Sequence, residues 1–268
     1  MGELLWYLTK DNSLDFIKPF VPRYEEESTD GITVYGGYGP RLFQHKGQDQ
    51  ISNVIELLRK RSDSRRAVIQ IFDAQDLAED RPEIPCTTTL QFLVRKNELH
   101  LIATMRSNDA YWGFPHDVFC FTMLQEIVAR SLDLEIGPYR HFVGSMHIYD
   151  EFRDDAQRLI QEGYQRRIEM PAMPFGDPWP AIRSTLAALD KIRKNEDVDL
   201  SDFGDNQYWA DLVRLLQIFA ATGDQKAIAE IRDNMSSDSY HPYIDTRINM
   251  TRKQDRFGQA NEHQNNGN

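Results

Sequence analysis

The chain has 268 residues, of which 40% are hydrophobic and 27% charged, a composition typical of a soluble globular protein. Its formal net charge of −11 argues against broad nucleic-acid binding, which normally needs a basic face. No apolar run approaches the roughly 20 residues of a membrane-spanning helix, and no signal-peptide pattern is present. We therefore predict a cytoplasmic protein without nucleic-acid or membrane partners. Its two cysteines, Cys86 and Cys120, are too few for a disulfide framework.

The N-terminal part of the chain predicts two helices and a strand. Apolar residues recur at helical spacing from Glu3 to Leu8, which predicts a helix that is already under way there. Residues 50–61 have the spacing of an amphipathic helix, and residues 66–72 alternate in the manner of a strand. The stretch 73–85 is predicted to be a loop.

The middle and the C-terminal parts of the chain predict a hairpin followed by helices. Residues 87–94 and 99–105 predict two strands around the turn Lys96-Asn97-Glu98, with Cys86 at the mouth of the first strand. Residues 117–132 are apolar over most of a helical surface, which predicts a largely buried helix. Beyond Tyr149 the pattern becomes helical, with candidates at 150–162, 178–194, 206–221 and 224–234.

Several widespread functional motifs are missing from the sequence. It has no internal repeat, no Walker-type phosphate loop, no dinucleotide-binding glycine fingerprint and no zinc-type spacing of Cys and His. We therefore predict no metal and no dinucleotide cofactor.

Six short motifs follow one another between Glu3 and Tyr149. In chain order they are Glu3-Leu4-Leu5-Trp6, Val34-Tyr35-Gly36, Ser64-Arg65-Arg66, Pro85-Cys86, Arg106-Ser107-Asn108-Asp109 and His147-Ile148-Tyr149. Together they resemble the thymidylate synthase and deoxycytidylate hydroxymethylase family. Any one motif would be weak support, but six in the family's order and approximate spacing make a chance similarity improbable.

The resemblance implies a fold, a cosubstrate and an assembly. The expected fold is α+β, with a large twisted mixed β-sheet that is flanked by helices and packs against its copy in a homodimer. We expect one catalytic domain over residues 1–250, with the motifs in 3–149 and a mostly helical part in 150–250. Residues 251–268 are polar and predicted to be a disordered tail. The cosubstrate would be 5,10-methylenetetrahydrofolate, and the substrate a pyrimidine nucleoside monophosphate.

The resemblance makes Cys86 the nucleophile. C5 of a pyrimidine is a poor carbon nucleophile, so the family first adds a thiolate to C6, which makes C5 enamine-like. A cationic neighbour helps to ionise a thiol, and Arg106 is the expected one. The alternative for such a residue is a buried, inert cysteine, and this description fits Cys120 in the apolar helix.

The remaining motif residues receive roles from the same resemblance. Glu3 would manage protons and ordered water around the base, a task suited to a partly desolvated carboxylate. Arg65 and Arg66 would bind a phosphate in the neighbouring subunit's site, and Arg106 and Ser107 would bind the phosphate in their own site. His147 and Tyr149 would bind the sugar, and Asp109 would bind the folate. Each role has a plainer alternative. Glu3 could be an ordinary helix glutamate, Arg65 and Arg66 a solvated basic pair, and His147 a core histidine.

Asp117 departs from the synthase pattern, in which this position is an asparagine that reads uracil. An ionised carboxylate would repel O4 of uracil but accept from the exocyclic amine of cytosine, and a protonated one could donate to cytosine N3. This change resembles the deoxycytidylate hydroxymethylases. It predicts cytosine as the base, with Asp117 in the catalytic group. A helix N-cap is the alternative, and it does not exclude base reading.

Two further departures bear on the product. Thr87 replaces the synthase's histidine after the nucleophile, and a tryptophan-rich segment has become roughly Val21-Pro22-Arg23-Tyr24. Loss of that bulk would admit water, which gives a hydroxymethyl product where hydride transfer gives a methyl product. We therefore predict hydroxymethylation of dCMP or CMP, with thymidylate synthesis from dUMP as the alternative.

A third possibility is a catalytically idle nucleotide-binding homologue. The resemblance implies an arginine loop on the phosphate ahead of the Glu3 motif, and the sequence begins too close to Glu3 to include it. We expect either a start further upstream or weaker phosphate binding.

Overall fold

The computed structural model describes residues 1–81, 83–164, 166–251 and 257, and these fall into two compact units. The first unit comprises residues 1–166 and 175–178, and the second comprises residues 167–174 and those from 179 onwards. The predicted domain over 1–250 thus spans two units and stays a prediction. The predicted tail lies mostly outside the described residues.

A four-stranded mixed sheet forms the centre of the first unit. The strands of its described residues are β1 (Val68–Gln70), β2 (Thr87–Arg95), β3 (Glu98–Met105), β4 (Asn108–Asp109), β5 (Glu135–Val143) and β6 (Met146–His147). The order in the main sheet is β1-β2-β3-β5, antiparallel except for the parallel pair β3 and β5. β4 and β6 form a short parallel pair beside it. The predicted mixed sheet is confirmed.

The two faces of the main sheet differ in burial because strand side chains alternate. Ile69, Leu90 and Leu101 point to the buried face and are fully enclosed. On the opposite face Phe142 is 56% exposed and Val68 43% exposed. One side of the sheet therefore packs in the core, and the other carries exposed apolar side chains.

The hairpin between β2 and β3 forms as predicted, with a tighter turn. Lys96 and Asn97 both have positive φ, 52° and 65°, as a two-residue turn between twisted strands requires. Glu98 already pairs with Arg95. The strand predicted at 66–72 is shorter, and β5 was missed because Gly137 and Pro138 are unfavourable in strands.

Seven helices are found in the described residues of the first unit: α1 (Gly2–Leu8), α2 (Leu14–Ile17), α3 (Tyr24–Glu27), α4 (Tyr38–Phe43), α5 (Gln50–Lys60), α6 (Gly113–Ser131) and α7 (Arg153–Gln161). α6 packs against β3 and β5, and nearly all of its residues from Cys120 to Arg130 are buried. It begins four residues earlier than predicted, with Trp112 at the N-cap position. Asp117 is therefore inside the helix, and its interpretation as an N-cap is wrong.

The second unit is helical over its described residues. Its helices are α8 (Trp179–Arg193), α9 (Gln207–Ala220), α10 (Gln225–Asp233) and α11 (His241–Ile248). The first three match the predicted segments, whereas α11 was not predicted. Within the described ranges, no helix of either unit has the length and apolar character of a membrane span.

Candidate active site

A cavity of about 200 Å³ in the first unit collects most of the predicted site residues. Glu3 reaches it from α1, Cys86 from the start of β2, and Asp117 from α6. The other predicted residues in its lining are Asp109, His147 and Tyr149. Residues more than 140 positions apart in the sequence therefore share one pocket.

The thiol of Cys86 lies in the pocket directly before β2. Burial raises its pKa above the ordinary value, and this effect is larger than the opposing influence of the Arg106 guanidinium. The acidic side chains of Asp117, Glu27 and Glu83 act in the same direction when they are ionised. The expected activation by Arg106 is present, but it is outweighed in the free protein.

Arg106 braces the chain segment that precedes Cys86. Its Nε donates to the carbonyl oxygen of Pro85 at 3.0 Å, and one terminal nitrogen donates to that of Ile84 at 2.8 Å. Next to it, the Ser107 hydroxyl lies 3.3 Å from Nδ1 of His147. Arg106 and Ser107 are not in the pocket lining themselves, but each contacts residues that are. Their binding of a phosphate stays a prediction.

The carboxylate of Glu3 is held by two tyrosines. The hydroxyl of Tyr24 donates to Oε1 at 2.6 Å, and the hydroxyl of Tyr7 donates to the same oxygen at 3.1 Å. Burial raises the pKa of both tyrosines well above the usual range, so both remain donors. The second oxygen, Oε2, lies 3.7 Å from Nδ1 of His116.

Asp117 faces the pocket from the second turn of α6. Burial raises the pKa of its carboxyl well above the ordinary value, and the charge of Glu3 acts in the same direction. A hydrogen bond with Asn108 opposes the shift. The neutral form is thereby favoured, and a neutral carboxyl can both donate and accept a hydrogen bond.

A polar network lies behind Asp117. The amide nitrogen of Asn108 is 3.1 Å from Nε2 of His141, and Nδ1 of that ring is 2.5 Å from the hydroxyl of Tyr139. Burial lowers the pKa of His141, which favours a neutral imidazole whose Nε2 accepts from the amide. Asn108, which also lines the pocket, is therefore held from behind by His141.

Asp109 has one occupied and one free carboxylate oxygen. Its Oδ2 accepts from the backbone N–H of Trp112 at 2.5 Å and of Gly113 at 3.1 Å, at the start of α6. Its Oδ1 is buried and has no hydrogen-bond partner among the described residues. A buried, unpaired carboxylate oxygen costs free energy unless a ligand donates to it. This arrangement fits a ligand that carries N–H donors.

His147 and Tyr149 pack together at the pocket rim. Their ring centroids are 5.0 Å apart in an edge-to-face arrangement, although β6 ends at His147 and only the first residue lies in the strand. The guanidinium of Arg23 lies 5.1 Å from the Tyr149 ring centroid and pairs with Glu151 at 2.8 Å. Arg23 is thus a cation in the pocket lining that the sequence did not single out.

Arg65 and Arg66 lie outside this pocket. Both are exposed between α5 and β1, and the Gln91 side chain donates to the backbone carbonyl of Arg65. Their predicted role at a partner subunit's site stays a prediction.

Glu83 was missed because it lies in the stretch predicted to be a loop. It accepts from the backbone N–H of Gly36 at 3.1 Å, and a Cβ added at Gly36 would be 2.4 Å from its Oε1. A side chain at position 36 would therefore displace the Glu83 carboxylate from this contact. Burial raises the pKa of Glu83 to about 7, and the charge of Glu27 adds to the shift.

Tyr24 and His116 were also missed as partners of Glu3. Tyr24 belongs to α3 and His116 to α6, and no local sequence pattern indicates that either contacts α1. In the described part of the chain, no three His, Cys, Asp or Glu side chains are grouped so that they could hold a metal ion.

Comparisons with known proteins give consistent results. A family model described as thymidylate synthase matches residues 1–206. A deoxyuridylate hydroxymethyltransferase of Pseudomonas phage M6 is 36% identical over 152 residues, which are 56% of this chain and 43% of that protein. A protein of the same description from Bacillus phage SP01 is 27% identical over 213 residues, 72% of this chain and 56% of the relative.

A thymidylate synthase of Mycoplasma mobile is 25% identical over 166 residues, 62% of this chain and 54% of the relative. Among solved structures, a thymidylate synthase from T4 phage superposes with a TM-score of 0.57 at 22% identity, covering 69% of this chain and 71% of the other. This structural likeness shows the fold. The chain spans about half the length of the curated relatives that it matches.

Proposed function

Because the chain belongs to the thymidylate synthase family, we propose that it transfers a one-carbon unit from 5,10-methylenetetrahydrofolate to C5 of a pyrimidine deoxynucleotide. In this proposal water completes the reaction, and the product is a 5-hydroxymethyl nucleotide. The observation that carries the proposal is the meeting of Cys86, Glu3 and Asp117 in one cavity. A nucleophile, a proton-handling carboxylate and a base-reading carboxyl are the groups that the chemistry needs.

In the proposed mechanism Cys86 adds to C6 and Glu3 manages protons on the same face of the pocket. Because burial raises the pKa of Cys86, the thiolate is proposed to form mainly when the substrate is bound. The folate supplies the one-carbon unit. The free Oδ1 of Asp109 is available to accept from an N–H group of its pterin.

The proposed base is uracil, with cytosine as the alternative. Three curated relatives carry the description deoxyuridylate hydroxymethyltransferase. The prediction of cytosine depends on Asp117, but a carboxyl that burial keeps neutral can donate to O4 of uracil and accept from N3–H, as an amide does. Its neutral form removes the electrostatic objection to uracil, and the preference for dCMP or CMP stays a prediction.

Water rather than hydride is proposed to complete the reaction because of the segment around Tyr24. Tyr24 packs at a tilt against Trp6, with ring centroids 5.2 Å apart and an interplanar angle of 59°, and donates to Glu3. A hydroxyl next to a carboxylate gives the pocket two polar groups that can orient a water molecule. The same position carries bulkier, less polar side chains in the synthase pattern.

A homodimer is proposed as the functional assembly. The exposed face of the main sheet, with Phe142 and Val68, offers an apolar surface of the kind that a second sheet can cover. Arg65 and Arg66 lie on the turn before β1, at the edge of that sheet, where they can reach towards a partner subunit.

The test is incubation of the protein with methylenetetrahydrofolate and, separately, dUMP, dCMP and CMP, followed by mass spectrometry of the nucleotides. The proposal expects dUMP to gain a hydroxymethyl group in a reaction that Cys86→Ala abolishes. Gain of a methyl group with dihydrofolate formation would identify a synthase instead, an alternative that the Mycoplasma mobile relative favours. No modified nucleotide from any substrate would support a catalytically idle homologue.

A further inference from the structure

The two carboxylate oxygens of Glu3 have different surroundings. Oε1 accepts from Tyr24 and Tyr7, whose pKa values burial raises so far that neither exchanges a proton near neutral pH. Oε2 accepts from neither tyrosine and faces Nδ1 of His116 at 3.7 Å. One oxygen is thus anchored by two hydrogen bonds, and the other faces an imidazole.

His116 lies between Glu3 and the solvent. Its side chain is 44% exposed, whereas that of Glu3 is 12% exposed. The imidazole packs against the ring of Trp112, with centroids 5.4 Å apart, and this contact holds it at the pocket lining. Histidine is the side chain whose protonation most readily changes between pH 5 and 8.

We propose that His116 relays protons between Glu3 and bulk water during turnover. This inference rests on the proposed function, because the protons are those that the C5 transfer releases and consumes. His116 acts through Glu3 and is therefore a positioning and relay residue, distinct from the groups that touch the substrate.

The proton balance of the proposed reaction explains the need for a relay. One proton leaves C5 when the one-carbon unit is attached, and one leaves the water molecule that supplies the hydroxyl group. The folate gains two hydrogens, at N5 and N10, as it becomes tetrahydrofolate. No electron is transferred and the protons balance, but they are released and taken up at different atoms and at different times. A carboxylate in contact with an exposed imidazole can hold and pass them.

The side chains around Glu3 and His116 offer few other routes for protons between Glu3 and the solvent. Desolvation raises the pKa values of Tyr7, Tyr24 and Cys120, and it favours the neutral form of Asp117. Among the described residues, the titratable or charged groups that act on Glu3 or share its part of the pocket include the α-amino group of Met1 and Tyr7 on the α1 side, Arg23, Tyr24 and Glu27 on the α3 side, and Asp117 and Cys120 on α6. Glu83, Cys86, Asp109 and His147 line the same pocket.

The kinetic test compares His116→Gln with the wild type over pH. We expect kcat near neutral pH to fall by about tenfold or more, as loss of a proton-transfer group does, while KM for nucleotide and folate changes little. Free imidazole should restore part of the kcat of His116→Ala. The matched control is His241→Gln, which removes a histidine paired with Asp238 at 3.5 Å in the second unit and should leave kcat unchanged. An unchanged kcat in His116→Gln, or a change confined to KM, would overturn the proposal.

A second measurement does not depend on activity. The His116 ring resonances, followed by NMR at a fixed pH, should shift in Glu3→Gln, because the carboxylate that faces Nδ1 at 3.7 Å is replaced by an amide. Unchanged resonances would refute the contact between the two side chains even if the enzyme is active. A wild type that modifies no nucleotide would overturn the proposed function and the relay with it, whatever the NMR result.

Discussion

The Nε of Arg106 donates a 3.0 Å hydrogen bond to the carbonyl oxygen of Pro85, the residue before the proposed nucleophile Cys86. One side chain thus fixes the backbone that carries the thiol and also supplies the positive charge that lowers its pKa. The two roles can be separated by substitution, since lysine keeps the charge but lacks the forked geometry of arginine.

Arg106→Gln should slow the alkylation of Cys86 by iodoacetamide at pH 8 by about threefold or more, because the thiolate fraction falls when the cation is lost. Arg106→Lys should retain more of the rate. The measurement is the rate of carbamidomethylation of the Cys86 peptide, with Cys120→Ser as a control that should alter nothing, as Cys120 is buried. Equal slowing in both Arg106 variants would mean that the hydrogen bonds of Arg106 to Ile84 and Pro85, and not its charge, set the reactivity of Cys86.

Tyr24→Phe should lower kcat by roughly tenfold, because a hydrogen bond to a charged group contributes about 1.5–3 kcal/mol. Steady-state kinetics and the melting temperature are the measurements. Tyr35→Phe is the matched control, since it removes a 2.8 Å bond from a tyrosine to Asp76 outside the pocket lining. That variant should lose stability and keep its kcat, and an equal loss of kcat in both would argue against a specific role of Tyr24.

Asp117→Asn should change the relative turnover of dUMP and dCMP. An asparagine offers O4 and N3–H of uracil the same donor and acceptor as a neutral carboxyl, so turnover of dUMP should persist. Any turnover of dCMP should fall by roughly a hundredfold or more, because an amide can hydrogen-bond to N3 of cytosine but cannot transfer a proton to it as a carboxyl can. Competition between the two nucleotides, read by mass spectrometry, measures the change. Loss of dUMP turnover with retention of dCMP turnover would contradict this account of Asp117.

Glu83→Gln should stabilise the protein more at pH 8 than at pH 5. Burial raises the folded-state pKa of Glu83 to about 7 from its ordinary 4.5, so the folded state binds the proton more tightly than the unfolded chain does. Stability is therefore lost as pH rises through this window, and the cost is complete above pH 7. Removing the charge should recover on the order of 3 kcal/mol at pH 8.

Urea denaturation of wild type and variant at both pH values measures this difference. Glu56→Gln, on the exposed side of α5, should show no such pH dependence. If Glu83→Gln raised the free energy of unfolding equally at both pH values, ionisation of the Glu83 carboxyl would not be the cause of the stabilisation.

Mixed dimers should show whether the two arginines act across an interface. Cys86→Ala and the double variant Arg65→Ala, Arg66→Ala should each have little activity alone. If the arginines serve the partner's site, an equal mixture that exchanges subunits should recover about a quarter of wild-type activity, because half of the dimers then carry one intact site. No recovery, despite exchange verified by native mass spectrometry, would mean that the arginines do not complete a neighbouring site.

The sequence by itself determined the elements whose signals are local. The hairpin of β2 and β3 follows from alternation around a turn, and α5 from amphipathic spacing. β5 was not predictable in this way because Gly137 and Pro138 oppose strand formation locally, whereas pairing with β3 over the whole strand stabilises it. α6 was predicted too short because Pro115 is a poor marker of a helix interior but is tolerated in the first turn.

For the site, the sequence determined which residues to examine, since the motifs with Glu3, Cys86, Asp109 and His147 stand out in the chain as printed. Only the tertiary structure decided their chemical states. Burial keeps Asp117 neutral and raises the pKa of Cys86, and contacts from α3 and α6 give Glu3 its partners Tyr24 and His116. These properties depend on desolvation and on distances between residues far apart in the sequence. Neither quantity exists until the chain has folded.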